Sequence, residues 1–187
     1  MGLLQEYLKQ LREIIFRPKE FFKNMPNTVG YGEPFKFAII SVFIGALLSI
    51  WYKMIIRDDK ILEAIQMAGS SPISLFFILI IGLVFLMIYE SFILFAGSGI
   101  NHLFFLVLGT KKSYETTFKI MAYLNAFAVL TWIPTVGYIV LIYAIYPFYL
   151  AGKYVHEIPK KRLIIACVLL LIITAVSISL LKNLPSV

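Results

Sequence analysis

Five stretches of this chain are long and apolar enough to cross a lipid bilayer, and that constrains its fold more than any other feature. About 20 helical residues match a hydrocarbon core about 30 Å thick. The stretches are residues 37–56, 73–97, 118–133, 137–152 and 163–181. The composition agrees. The chain is 60% hydrophobic and 16% aromatic with a mean hydropathy of +0.89, against roughly 45–50% apolar content in soluble domains. The sequence therefore predicts an all-α integral membrane protein with five transmembrane helices, preceded by a cytoplasmic amphipathic interfacial helix. Residues 1–34 form the surface segment and residues 35–187 the membrane domain.

The second block is too long for one simple span. Its apolar character runs on to Leu108, and a helix of that length rises about 54 Å. Either it breaks near Ala96-Gly97-Ser98-Gly99, making six spans, or it tilts and projects past the headgroups. The basic residues choose between these. With five spans and a cytoplasmic amino terminus, 13 Lys and Arg fall inside and 4 outside; with six spans the division is 7 to 10. The positive-inside rule selects five, with the carboxy terminus outside. The third and fourth blocks are short and joined by Pro134-Thr135-Val136, so they form a hairpin whose backbone ends must be covered by protein or reach water.

The net charge of +7 does not indicate nucleic acid, because the charges sit in short loops between apolar blocks rather than on one solvated face. Lone Cys167 excludes an intrachain disulfide. No cleavable signal peptide is expected at the amino terminus.

Ahead of the first span, Leu3, Leu4, Tyr7, Leu8, Leu11, Ile14 and Ile15 recur at helical spacing, while Glu6, Lys9, Gln10, Arg12 and Glu13 fill the other side. This is an amphipathic helix. Pro18 suits the first turn of a second short helix, and Phe21 and Phe22 suit the acyl boundary. The apolar face rests on lipid, with anionic headgroups drawn by the flanking Lys19 and Lys23, or on the protein's own loops, or on a second copy.

The order of several motifs resembles the Yip family, five-span membrane proteins named for interaction with small GTPases of the Ypt and Rab type. The motifs are Pro18-Lys19-Glu20-Phe21-Phe22, the stretch from His102 to Gly109, Ser113-Tyr114-Glu115-Thr116-Thr117-Phe118, Ile133-Pro134-Thr135-Val136-Gly137, and Gly152-Lys153-Tyr154-Val155-His156-Glu157. The resemblance covers about residues 15–181 and implies a helical fold, cytoplasmic amino terminus and extracytoplasmic carboxy terminus. It also implies roles in vesicle traffic and organelle shape, often as oligomers. Eukaryotic members carry a long polar cytoplasmic amino-terminal region. This short, Lys- and Ile-rich chain resembles the prokaryotic branch instead, so the resemblance implies a prokaryotic plasma membrane and does not carry GTPase binding over.

Glu90 is the one carboxylate inside the second block. At 100° per residue Gly97 and Asn101 lie within about 20° of it, and Asn125, Tyr143, Tyr146 and Tyr149 on later spans are candidate polar partners. Such a stripe serves helix packing, a proton or substrate relay, or a contact with water near the headgroups. Pro147 removes one backbone donor from the fourth span. Small pairs, Gly45 with Ser49 and Ala122 with Ala126, allow close helix approach.

Enzymatic chemistry finds no support. Ala96-Gly97-Ser98-Gly99 resembles the Gly-x-Ser-Gly of rhomboid proteases without its first Gly, and His102 follows on the same helix, where it makes no nucleophile pair. His156 with Glu157 is too little for a closed metal site, and no phosphate-cradling Gly loop is present. No cofactor is expected. The leading reading is a non-enzymatic membrane organiser or scaffold whose partners are the bilayer, further copies or other membrane proteins. The alternative is a small transporter, channel or lipid-moving protein that uses the Glu90 stripe.

Overall fold

The computed structural model describes residues 2–25, 30–67 and 71–183. Within them the chain forms α1 (Leu3–Phe16), α2 (Pro18–Lys23), α3 (Gly32–Ile55), α4 (Asp59–Met67), α5 (Pro72–Leu108), α6 (Tyr114–Leu124), a 3-10 helix (Asn125–Val129), α7 (Pro134–Tyr154) and α8 (Lys160–Asn183). No strand occurs among the described residues. Three helical segments among these residues are long and apolar enough to cross a membrane: Gly32–Ile55, Phe76–Leu108 and Val136–Tyr154.

The boundaries follow local chemistry. Pro18 bars Arg17 from the helical region, so α1 stops at Phe16 and Pro18 opens α2 in its first turn. In the same way Pro134 holds Ile133 extended and starts α7. α5 is one continuous helix of 37 residues, about 55 Å long, so it does not break near Gly97 and is longer than the hydrocarbon core. It ends at Gly109, whose φ of +97° is left-handed; the Gly109 N–H donates to Leu106 and the Thr110 N–H to Phe105. This pair of bonds satisfies carbonyls that the helix end would orphan. Arg162 donates to the Leu108 carbonyl at 3.0 Å, adding a cation at the negative end of the helix.

The third apolar block departs from a single helix. It is divided into α6, 11 residues long, and the 5-residue 3-10 helix. Thr117, Phe118, Lys119, Ile120, Ala122 and Tyr123 of α6 are all buried, so this element lies at the centre of the bundle rather than against lipid. Protein surrounding it covers backbone that a bare short helix would expose. The 3-10 helix packs on α3 at Gly45, where the Ala128 carbonyl lies against the glycine and leaves no room for a Cβ.

The core is aromatic. Tyr7 of α1, Phe21 of α2, Phe37 of α3 and Tyr123 of α6 meet with ring centroids 5.1 to 5.4 Å apart, the separation at which tilted and edge-to-face pairs are favourable. Outside this core, α5 exposes apolar side chains along its length, among them Phe76, Phe85, Phe92 and Leu103. A patch of that extent is unsuited to water and suited to a hydrocarbon solvent. The ion pairs Lys36–Glu33 and Lys112–Glu157 lie near helix ends, where charges reach headgroups and water, whereas the buried Lys119 pairs with Glu115 one turn before it on α6.

Candidate membrane-surface site

α1 and α2 pack on each other and on the bundle, α2 against α7 and α1 against the 3-10 helix. On α1, Tyr7 is 3% and Ile14 0% exposed, whereas Leu4 is 64%, Leu8 51% and Phe16 75% exposed. The apolar face is therefore shared. Its Tyr7–Ile14 side, with Leu11 and Ile15 partly buried, packs on the bundle, and its Leu4–Leu8 side does not. Two polar contacts fix the docked side. The Tyr7 hydroxyl lies 3.2 Å from that of Ser41, and the Tyr143 hydroxyl on α7 donates to the Ile15 carbonyl at 2.7 Å. Burial pushes the Tyr7 phenol up, against the lowering effect of its Ser41 bond. α2 drives Phe21 and Phe22 into the core, with Phe22 1% exposed.

A polar chain, buried at Thr110, Thr117 and His156, links α5, α6 and the turn between α7 and α8. The links run in either direction, set by the tautomers of the two imidazoles; with Nδ1 protonated on both rings they form one chain. His102 Nδ1–H donates to Thr117 Oγ1 at 2.9 Å, the Thr117 hydroxyl to His156 Nε2 at 3.2 Å, and His156 Nδ1–H to Thr110 Oγ1 at 2.9 Å. The Thr110 hydroxyl then reaches the His156 carbonyl, and the Lys112 amide donates back to Thr110. His156 is 2% exposed and lies 4.2 Å from the Phe105 ring. Burial first, then His102 and Lys112, push its pKa down to about 4. It is a neutral, structural imidazole at neutral pH. Gly152 completes the turn, because Leu163 of α8 and Phe105 of α5 occupy the space a side chain there would need.

The polar residues singled out around Glu90 are not all brought together. Glu90 and Asn125 share an open cleft of about 240 Å³ with Gly45, Ser49 and Trp132. Asn101 instead bonds the Gly97 carbonyl of its own helix, and Asn125 likewise bonds Met121. Tyr143 serves α1, with Tyr146 beside it at 6.3 Å between rings. Ser98 is fully buried, its hydroxyl without a partner among the described residues, while the nearby His102 binds Thr117. No nucleophile and base are paired there. Among the described residues no three of His, Cys, Asp and Glu converge as a metal site.

The motif residues are spread through the fold. Pro18 opens α2, Phe22 is buried, Gly109 ends α5, Gly152 packs on Leu163 and Phe105, Pro134 opens α7 with Gly137 against Thr131, and Thr117 joins the two histidines. The family described as Yip1 domain matches residues 12–181. The chain belongs to the Yip1 domain family. Comparison with curated proteins and with solved structures gives no match. The Yip1 domain is a family of non-enzymatic membrane proteins, in keeping with the apolar helices of this chain. Sequence reasoning weighed His102 and His156 separately and missed their meeting, although both lie in the motifs that carry the Yip resemblance.

Proposed function

We propose that this Yip1 domain protein is a non-enzymatic scaffold that shapes or organises a bilayer, with α1 as an apolar wedge held rigidly at the membrane surface. The shared face of α1 carries the reading. Tyr7 and Ile14 lock the helix to the spans while Leu4, Leu8 and Phe16 stay outside, beside Lys9 and Arg12. Apolar side chains inserted at the acyl boundary spread one leaflet, and nearby cations add about 1 kcal/mol each toward anionic lipid.

In this reading residues 1–34 are the surface segment and residues 35–187 a five-span domain. α6 and the 3-10 helix, placed end to end, rise about 26 Å, close to the hydrocarbon thickness. The amino terminus faces the cytoplasm and the carboxy terminus the outside of a prokaryotic plasma membrane, following the Lys and Arg division. Copies of the chain or other membrane proteins are its partners, through the spans. The transport alternative has less behind it, because the Glu90 cleft gathers Asn125 but neither Asn101, Tyr143 nor Tyr146.

Reconstitution of the full chain into liposomes containing phosphatidylglycerol tests the reading. Cryo-electron microscopy should show tubules or small, highly curved vesicles, and Leu4→Gln combined with Leu8→Gln and Phe16→Gln should restore spheres. Unchanged vesicle shape with proton or lipid flux would favour transport instead.

A further inference from the structure

We propose that the Yip1 domain binds the phosphate of an anionic ligand, a phospholipid headgroup or a soluble phosphate ester, in a basic cavity between α2, α6 and the carboxy-terminal end of α7. The cavity holds about 330 Å³ and is lined by Lys23, Lys112, Thr116, Lys119, Tyr154 and Glu157, among others. That volume is at the lower end of ligand-sized pockets. Three lysines from separate elements thus line it, Lys112 paired with Glu157 and Lys119 with Glu115, so one cation is in excess.

The walls are built rather than incidental. Lys119 is 7% exposed and lies 2.7 Å from Glu115, whose carboxylate also accepts from the Gly30 amide at 2.9 Å. Lys23 stands over the Tyr154 ring at 5.5 Å, which positions its ammonium by cation–π attraction. Lys112 is paired with Glu157 at 2.7 Å. Glu157 has a φ of +56°, a left-handed conformation that costs a residue with a side chain on the order of 1 kcal/mol or more and is found at ligand clamps. Its carboxylate, itself an oxyanion, sits on Lys112 where a phosphate oxygen would bond. A phosphate that displaces it brings more charge and more acceptor oxygens to Lys112 and to Lys23, while Lys119 stays on Glu115 and adds its charge to the wall. The site is independent of whether α1 deforms membranes.

Thermal unfolding of the purified full chain in a neutral detergent tests this, with probes at matched ionic strength. They are short-chain phosphatidic acid, short-chain phosphatidylcholine and glycerol 3-phosphate. Phosphatidic acid should raise the Tm more than phosphatidylcholine. Lys23→Gln with Lys112→Gln should abolish that difference, and Lys53→Gln with Lys60→Gln, exposed at the end of α3 and on α4, should keep it. An equal rise with glycerol 3-phosphate would assign the site to soluble phosphate esters, and no rise would assign it to lipid; both support the cavity. Glu157→Gln removes the competing carboxylate and should lower the half-saturating concentration several-fold, a gain that loss of folding cannot imitate. Equal shifts with phosphatidylcholine, a difference that persists in the Lys23 and Lys112 variant, a difference lost in the Lys53 and Lys60 variant, or no gain in Glu157→Gln would each overturn the proposal.

Discussion

Tyr143 on α7 reaches across 128 residues of sequence to donate its hydroxyl to the carbonyl of Ile15, 2.7 Å away. Ile15 lies in the last turn of α1, where carbonyls lack partners within the helix. One bond therefore satisfies a helix end and ties α1 to α7. Tyr143→Phe should remove it at a cost of about 1 kcal/mol. Hydrogen exchange should then quicken several-fold across residues 3–16 with little change in α3 or α6. Uniform protection throughout would mean that the bond does not anchor α1.

Acid should loosen the α7–α8 turn. His156 has a pKa near 4 in the folded protein against an ordinary 6.5. Above pH 6.5 both states hold it neutral and its contribution to stability is complete. As the pH falls from 6.5 toward 4, the unfolded chain takes up a proton that the folded chain resists, so stability declines. Tm measured across that window should fall, and His156→Gln should flatten the profile. An equal slope in the variant would place the titration elsewhere.

Thr117 bridges the two imidazoles, and Thr117→Val keeps its shape while removing both bonds. With His156 Nε2 and His102 Nδ1 left without a partner in a buried site, the loss should be about 1–3 kcal/mol. Thr117→Ser should restore most of it. A valine variant as stable as the parent would show that the chain of bonds contributes little.

Gly45 tests the close contact between α3 and the 3-10 helix. Gly45→Ala places a Cβ against the Ala128 carbonyl, and backbone must move, at about 1–3 kcal/mol. The neighbouring exchange Gly82→Ala, which meets nothing within 4 Å, should be neutral or stabilising. Equal effects at both positions would contradict the packing.

The class of fold was legible because hydropathy and helical period are local properties. Leu4, Leu8, Leu11 and Ile14 announce a helix at α1 in a short window, and Pro18, Gly109 and Pro134 mark the breaks where they occur. The length of the second block was legible too, but only the structure shows α5 passing Gly97 as one helix. What sequence does not carry is the pairing of distant elements. His102 and His156 meet through Thr117, and Tyr143 turns to Ile15 rather than to Glu90, because packing orients each helix about its axis. The division of the third block into α6 and a 3-10 helix escaped for a related reason: burial on all sides makes apolar residues continuous and erases the period that would mark the change.

The account rests on α1 sharing its apolar face between protein and lipid, and the depth of single side chains measures that most directly. Cys167 is replaced by Ala and nitroxide labels are placed singly at Leu8, Tyr7 and Glu13 of the full chain in phosphatidylglycerol-containing liposomes. Collision with oxygen reports acyl chains and collision with a water-soluble nickel chelate reports the aqueous phase. The label at Leu8 should favour oxygen, that at Glu13 nickel, and that at Tyr7 neither, being immobilised against Phe37. A label at Leu8 as accessible to nickel as the one at Glu13 would contradict the account.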